Sequence, residues 1–245
     1  MNIVITGNSQ GLGKKVESHL TSKGHTVIGL SRSGTLKCDV TDYEQVEDCS
    51  RYVLDAYEYA DALICCAGTL GTLGKISSSN PSDWANVVNT NLNGVYNTFR
   101  AFYPIMDLAR RPKIMCFGGG GASASRPYFS AYAASKTGLT RLVETIADEE
   151  PNLDINIIAP GTIKTNMIQA PIDFGPSVIG EFEYNKAKAQ MQEEDNLENT
   201  LKLIDWLLSE KSDGVSGRMI SSKWDNWEAL PKNNSKDLYK LRRVT

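Results

Sequence analysis

Tyr132 and Lys136, in Tyr132-Ala-Ala-Ser-Lys136, have the types and the spacing to move a proton. On a helix, positions i and i+4 share a face. A phenol titrates near pH ~10, too high for acid–base work at neutrality, and an ammonium beside it favours the phenolate and lowers that value. The bland counterpart is a helix with one buried tyrosine and one solvated lysine. Toward the other end of the chain, Gly7, Gly11 and Gly13 stand in Thr6-Gly7-Asn8-Ser9-Gln10-Gly11-Leu12-Gly13, just after the apolar run Ile3-Val4-Ile5. Such a turn lets a backbone without β-carbons approach a pyrophosphate, and the helix it opens offers free N–H groups and a favourable dipole. A plain glycine-rich strand–helix turn would look the same taken alone.

The elements that must position these residues are legible as short apolar runs alternating with helical-period segments. Strands are expected at Asn2–Thr6, Thr26–Leu30, Thr35–Cys38, Ala62–Cys66, Lys113–Phe117, Ile155–Ile158 and Arg218–Ser221. Leu12, Val16 and Leu20 mark a first helix that Gly24 stops, and Thr41-x-x-Glu44 reads as a capping box for a second. Pro81 and Ser130 begin two long helices, and Leu197–Leu208 a last one. This order predicts a parallel sheet with helices on both faces. Only Ser31–Gly34 separate the second and third strands, where a parallel crossover normally takes a dozen residues or more. That crossover is either an abbreviated excursion or the third strand is an extended loop.

The chain has 245 residues, 41% hydrophobic and 22% charged, with a net charge of −3. This suits one domain over 1–245 and gives no electrostatic reason for a nucleic-acid partner. Its five cysteines form no C-x-x-C pair, and three lie in apolar runs, so they read as buried thiols of a reducing compartment. Met1 leads directly into the first strand, which leaves no room for a signal peptide, and no apolar run is long enough to span a membrane. A cytoplasmic location is expected. His19 and His25 sit apart, with no carboxylate or thiol cluster, so no metal site is expected.

The glycine turn followed by Tyr132-Ala-Ala-Ser-Lys136 resembles the short-chain dehydrogenase/reductase family over residues 1–221. The resemblance implies an α/β, doubly wound Rossmann-type fold, with a parallel sheet of about seven strands flanked by helices. It implies that Tyr132 is the acid/base and that Lys136 tunes it and holds the nicotinamide ribose. Asn91, in Val88-Asn-Thr-Asn-Leu-Asn-Gly94, matches the asparagine that anchors a proton-relaying water, with Asn89 and Asn93 as the neighbouring registers. Asp39-Val40 matches the adenine contact, though Asp39 would serve equally as a turn residue. Ala67 and Gly68 match the end of the family's N-N-A-G, with Cys65 and Cys66 in place of its asparagines. Pro160-Gly161-x-Ile163-x-Thr165 matches the loop that holds the nicotinamide carboxamide and phosphate.

An acidic residue ending the second strand would bind the ribose 2′-OH of NAD, and a basic one would suit the 2′-phosphate of NADP. Ser31-Arg32 therefore favours NADP(H) over NAD(H). One position departs from the pattern. The family's catalytic serine is expected about 13 residues before the tyrosine, at Gly119 in Cys116-Phe-Gly-Gly-Gly-Gly121. Ser123, Ser125 or backbone amides of Gly118–Gly121 would have to replace it, or the chain binds dinucleotide as a non-catalytic sensor or scaffold. The reading adopted is an oxidoreductase for a small-molecule ketone or secondary alcohol, assembled as a homodimer or homotetramer. Residues 163–196 are read as a substrate lid and 222–245 as a C-terminal extension, with Lys240–Arg243 folded on the body or solvated. Tyr128, Trp224 and Trp227 point to a polar substrate such as a sugar derivative.

Overall fold

The computed structural model describes residues 1–230 and 237–242. Seven parallel strands form one sheet in the order β3-β2-β1-β4-β5-β6-β7. They are β1 (Asn2–Thr6), β2 (Thr26–Ser31), β3 (Leu36–Lys37), β4 (Ala62–Cys65), β5 (Lys113–Phe117), β6 (Asp154–Ala159) and β7 (Arg218–Ser221). The expected strands are all present. The third is reduced to two residues, which pair Leu30 with Leu36 and Ser31 with Lys37. A pairing so short needs no crossover helix: the chain turns through Arg32–Thr35, with Gly34 and Cys38 N–H groups donating to the Ser31 carbonyl. The abbreviated excursion is thus the one the chain uses.

Helices cover both faces. They are α1 (Gly11–Ser22), α2 (Tyr43–Tyr57), α3 (Pro81–Val88), α4 (Gly94–Phe102), α5 (Ser130–Glu149), α6 (Asn166–Phe174), α7 (Pro176–Gln192) and α8 (Leu197–Leu208). The cap of α2 is Asp42 rather than the expected Thr41. Its carboxylate accepts from the Glu44 and Gln45 N–H groups, because the Thr41 hydroxyl is turned back onto Asp39. Asn80 caps α3 ahead of Pro81. The long helix expected after Pro81 is interrupted by a π-helical turn over Asn89–Asn93, a bulge that often marks a functional site.

Alternation along each strand divides the core. Val4, Leu63, Ile114 and Cys116 pack against α2, α4 and α5, with Phe102 and Val143 among their partners. Ile3, Ile5, Ile64 and Met115 pack against α1 and α8 through Val16, Leu20, Leu203 and Leu207. With both faces covered the strands are buried throughout, which is why they read as continuous apolar runs. A third, smaller cluster, which includes Leu73, Phe129 and Ile179, joins α7 to the body at the carboxyl end of the sheet. Residues 237–242 fold on the body: Met219 N–H donates to the Tyr239 carbonyl at 2.8 Å and Leu241 N–H to Glu144 Oε1 at 2.6 Å. The expectation for Arg243 lies outside the described residues. No helix among the described residues is long and apolar enough to cross a membrane.

Candidate active site

A cleft of about 1800 Å³ runs along the carboxyl ends of the strands. This is where the strand order reverses and where open parallel sheets bind ligands. The turn after β1 forms its floor. Gly7 and Gly11 have φ of 73° and 57°. A β-carbon on Gly7 would lie 2.7 Å from the Ala67 backbone, and one on Gly13 would lie 2.4 Å from the Gly7 carbonyl oxygen. Side chains are therefore excluded there by contact as well as by conformation. The Gln10 side chain makes no capping hydrogen bond, so the N-terminal N–H groups of α1 face the cleft without a side-chain acceptor.

At the end of β2 the cleft meets Ser31 and Arg32. The Ser31 hydroxyl is buried with no hydrogen-bond partner, and no ion pair engages the exposed Arg32 among the described residues. Asn8, which the glycine turn puts among the expected dinucleotide contacts, points elsewhere. It leaves the cleft lining, donates from Nδ2 to Glu17 Oε1 at 2.9 Å, and lies so close to Gly29 that a β-carbon there would fall 1.9 Å from Nδ2. Its Oδ1 is buried and has no partner among the described residues. Asp39 serves as the turn residue, with Oδ1 accepting from the N–H and hydroxyl of Thr41, while also lining the cleft beside Val40. Those hydrogen bonds, opposed by burial and helped by Arg32, hold its carboxyl below the ordinary range.

Ser9, Leu12, Ala67 and Gly68 complete this end, and Pro160, Gly161, Ile163 and Thr165 close the other wall. Asn196 fixes that wall by donating to the Pro160 carbonyl at 2.8 Å and the Ser222 hydroxyl at 2.9 Å. Uncapped N–H groups, a cradle that tolerates no β-carbon, an orphaned hydroxyl and a free guanidinium fit a dinucleotide along this floor. Cys65, opposite Cys116 on the next strand, has its thiol pushed up by contact with Cys116 and by burial, and burial does the same to Cys66. Both act as small apolar groups rather than nucleophiles.

Tyr132 and Lys136 lie on the first turns of α5, both buried and both lining the cleft. The Tyr132 hydroxyl has no hydrogen-bond partner among the described residues, and it abuts Gly119. A β-carbon on Gly119 would lie 2.1 Å from it. Any side chain at this position meets the tyrosine hydroxyl in this arrangement. Lys136 Nζ lies 5.7 Å from the centre of the Tyr132 ring. Burial pushes Tyr132 up, and the cation that opposes this is Arg126. Lys136 donates instead to the Phe117 carbonyl at 2.6 Å, and its desolvation brings it down to about 8. Of the groups considered for the missing serine, Ser123 is exposed and lines the cleft, whereas Ser125 does not. The N–H groups of Gly119, Gly120 and Gly121 have no partner among the described residues, while that of Gly118 donates to Ile158.

Asn91 stands apart from the cleft, fully buried. Its Oδ1 accepts from Thr69 N–H, and its amide hydrogens go to the Thr69 carbonyl and the Ser135 hydroxyl. The side chain thus ties the loop after β4 to α5, and has no amide hydrogen left for a water. Residues 1–173 match the short chain dehydrogenase family.

The chain belongs to the short-chain dehydrogenase/reductase family.

It is an oxidoreductase acting on CH–OH groups. It is 30% identical to the Bacillus subtilis protein YtkK over 243 residues, covering 89% of this chain and 93% of that one. It is 28% identical to the NADPH-dependent pterin aldehyde reductase of Arabidopsis thaliana over 184 residues, covering 68% and 76%. A short-chain dehydrogenase/reductase of Saccharomyces cerevisiae shares its fold with a TM-score of 0.83 at 22% identity, over 93% of this chain and 98% of that one. Two features of this dehydrogenase were not foreseen. Arg126 beside the glycine loop gives no sequence signal, because it is placed by Glu183, 57 residues away. Trp227, expected near the substrate, packs against Trp206 with ring centroids 5.7 Å apart, since both belong to the α8 side of the core.

Proposed function

We propose that this dehydrogenase interconverts a ketone and a secondary alcohol and prefers NADP(H). The observation that carries the reading is the unbonded Tyr132 hydroxyl in the same cleft as the glycine cradle. The chemistry the dinucleotide supplies when bound is hydride transfer. Gly7, Gly11 and Gly13 bring the backbone close to its pyrophosphate, and the N–H groups of α1 bind that charge. Arg32 pairs with the 2′-phosphate and the Ser31 hydroxyl finds an acceptor there. Asp39 and Val40 flank the adenine, and Ile163 and Thr165 stand at the nicotinamide end. Tyr132 gives its proton to the carbonyl oxygen, or takes one from the alcohol. Lys136 keeps hydrogens beyond the one given to Phe117, and these suit a ribose hydroxyl. Asn91 holds the loop after β4 against α5, so that the turn carrying Tyr132 and Lys136 is fixed beside the cleft.

Amides of Gly119–Gly121 and the Ser123 hydroxyl stand in for the missing serine. The segment 163–196 covers the substrate, with Gly175 and Gly180 at φ of 76° and 75° as its joints. Buried free thiols suit a reducing, cytoplasmic setting. A dimer or tetramer forms through α4 and α5, where Tyr96 stands half exposed.

The test is a fluorescence titration with NADPH and NADH, followed by a carbonyl screen at saturating cofactor. Tighter NADPH binding that Arg32→Glu reverses supports the assignment, and equal affinity for both overturns the role of Arg32. Tight binding without turnover across ketones and secondary alcohols would leave the chain a dinucleotide-binding protein without dehydrogenase activity.

A further inference from the structure

Arg126 lines the cleft beside the glycine loop, and the proposed reaction gives it no task. Its Nε donates to Glu183 Oε2 of α7 at 3.0 Å, and Glu183 is only 3% exposed. Its guanidinium carbon lies 3.6 Å from the centre of the Phe129 ring. The glycine loop wraps its other side: a β-carbon on Gly120 would sit 3.5 Å from Nη1, and one on Gly121 would sit 3.4 Å from the Arg126 β-carbon. The backbone that carries it is held as well. Tyr128 adopts φ of 68°, unusual for a residue other than glycine, and its carbonyl accepts from Gly74 N–H. Gly180 of α7 packs so closely on the Tyr128 ring that a β-carbon there would come within 2.9 Å. Strained backbone held this way from several sides tends to mark a functional position.

What remains free is the outer edge. Neither Nη1 nor Nη2 has a hydrogen-bond partner among the described residues, neither is sealed from solvent, and Arg126 lines the cleft. A guanidinium fixed through Nε and stacked on a ring, with its terminal N–H groups open, matches the geometry of an oxyanion. Its place matters too. Lys14, Lys15 and Arg32 stand at the dinucleotide end, whereas Arg126 stands beside Gly119–Gly121 and acts electrostatically on Tyr132. Seven Lys and Arg side chains line the cleft against three Asp and Glu, although the chain as a whole is net acidic.

We propose that Arg126 is the substrate-recognition residue of this dehydrogenase, and that the ketone or alcohol it takes carries an oxyanion group, a carboxylate or a phosphate. This rests on the reading of the cleft as the hydride-transfer site. Glu183 is a positioning residue, aiming the guanidinium from α7, so that the same ion pair that orients the anion also holds the cover in place.

The test uses the full chain saturated with NADP⁺, so that added anions do not compete for the dinucleotide's phosphate sites. Calorimetric titrations are run with 4-oxopentanoate, its uncharged methyl ester and inorganic phosphate. A charge-assisted pair makes an anion bind at least about tenfold more tightly than the ester. Arg126→Gln is expected to abolish that difference with NADP⁺ affinity unchanged, and Arg126→Lys to restore part of it. Because Arg126→Gln leaves the buried Glu183 carboxylate with only Lys186, 3.9 Å away, the Arg126→Gln/Glu183→Gln variant is measured alongside. Glu183→Gln alone is expected to weaken the anion and leave the ester unaffected. Binding of phosphate without 4-oxopentanoate assigns the group as a phosphate, and the reverse assigns a carboxylate. Equal affinity for acid and ester, binding of neither anion, or anion binding that survives in both Arg126 variants overturns the proposal. Failure of NADP⁺ to bind in the preceding titration overturns the dehydrogenase reading instead, so the two failures are told apart.

Discussion

The two ends of the sheet treat charge in opposite ways. At the amino end, Asp154 at the start of β6 is 2% exposed and fully engaged. Arg111 grips it through Nε and Nη2, Lys113 of the neighbouring strand donates at 2.7 Å, and the Gly214 N–H lies 3.2 Å away. Asp213 takes another of the Lys113 hydrogens at 2.6 Å. At the carboxyl end, the Ser31 hydroxyl and Asn8 Oδ1 are buried without partners among the described residues. Arg32 has no ion pair among the described residues, the Arg126 fork is half used, and the Tyr132 hydroxyl touches glycine. A saturated cluster holds strands together, whereas an unsaturated one is open to a ligand.

The comparison breaks if the amino end matters for turnover or the carboxyl end for folding. The largest effect expected is from Asp154→Ala, which deprives Arg111 of its partner, leaves Lys113 with Asp213 alone and costs about 3 kcal/mol. Urea denaturation should show it, with kcat per folded molecule unchanged. Tyr132→Phe should do the reverse. It removes a hydroxyl with no partner among the described residues, so the urea midpoint holds, while turnover falls about a thousandfold, within the range for losing a general acid.

Lys136 sharpens the contrast through pH. Its pKa in the folded chain, about 8, lies below the ordinary 10.5, so the unfolded chain binds more protons between these values. Stability without cofactor should therefore rise with pH from about 8, by an amount bounded at roughly 3 kcal/mol. Above pH ~10 the raised Tyr132 works against it, since there the folded state holds the extra proton. Lys136→Met should flatten the rise in a series of denaturation curves. The smallest effect, about a hundredfold in kcat, is expected from Gly119→Ser. Restoring the family's residue forces Tyr132 out of place rather than adding a donor. A gain in turnover for this variant would show that the tyrosine has room to turn aside.

Much of this was readable from the chain. Strand positions followed from apolar runs, because strands buried on both faces need no polar alternation. Gly7, Gly11 and Gly13 were readable because a cradle without β-carbons leaves only one residue type. The short connection after β2 was visible as a count of residues, but whether a two-residue strand would pair was a matter of sheet register. Errors arose where one side chain had two possible partners. Thr41 turned to Asp39 and left the cap to Asp42, Asn8 turned to Glu17, and Trp227 turned to the α8 layer.

The sequence by itself determined the layered parallel sheet, the glycine cradle and the shared helix face of Tyr132 and Lys136, since each depends on neighbours within a few residues. Only the tertiary structure decided which groups surround the tyrosine, what stands against Gly119 and what Asn91 holds. Those answers depend on contacts between segments far apart in the chain: Lys136 with Phe117, Tyr132 with Gly119, Asn91 with Thr69 and Ser135, and Arg126 with Glu183. Burial sets their strength and packing sets their geometry, and neither exists until the layers close.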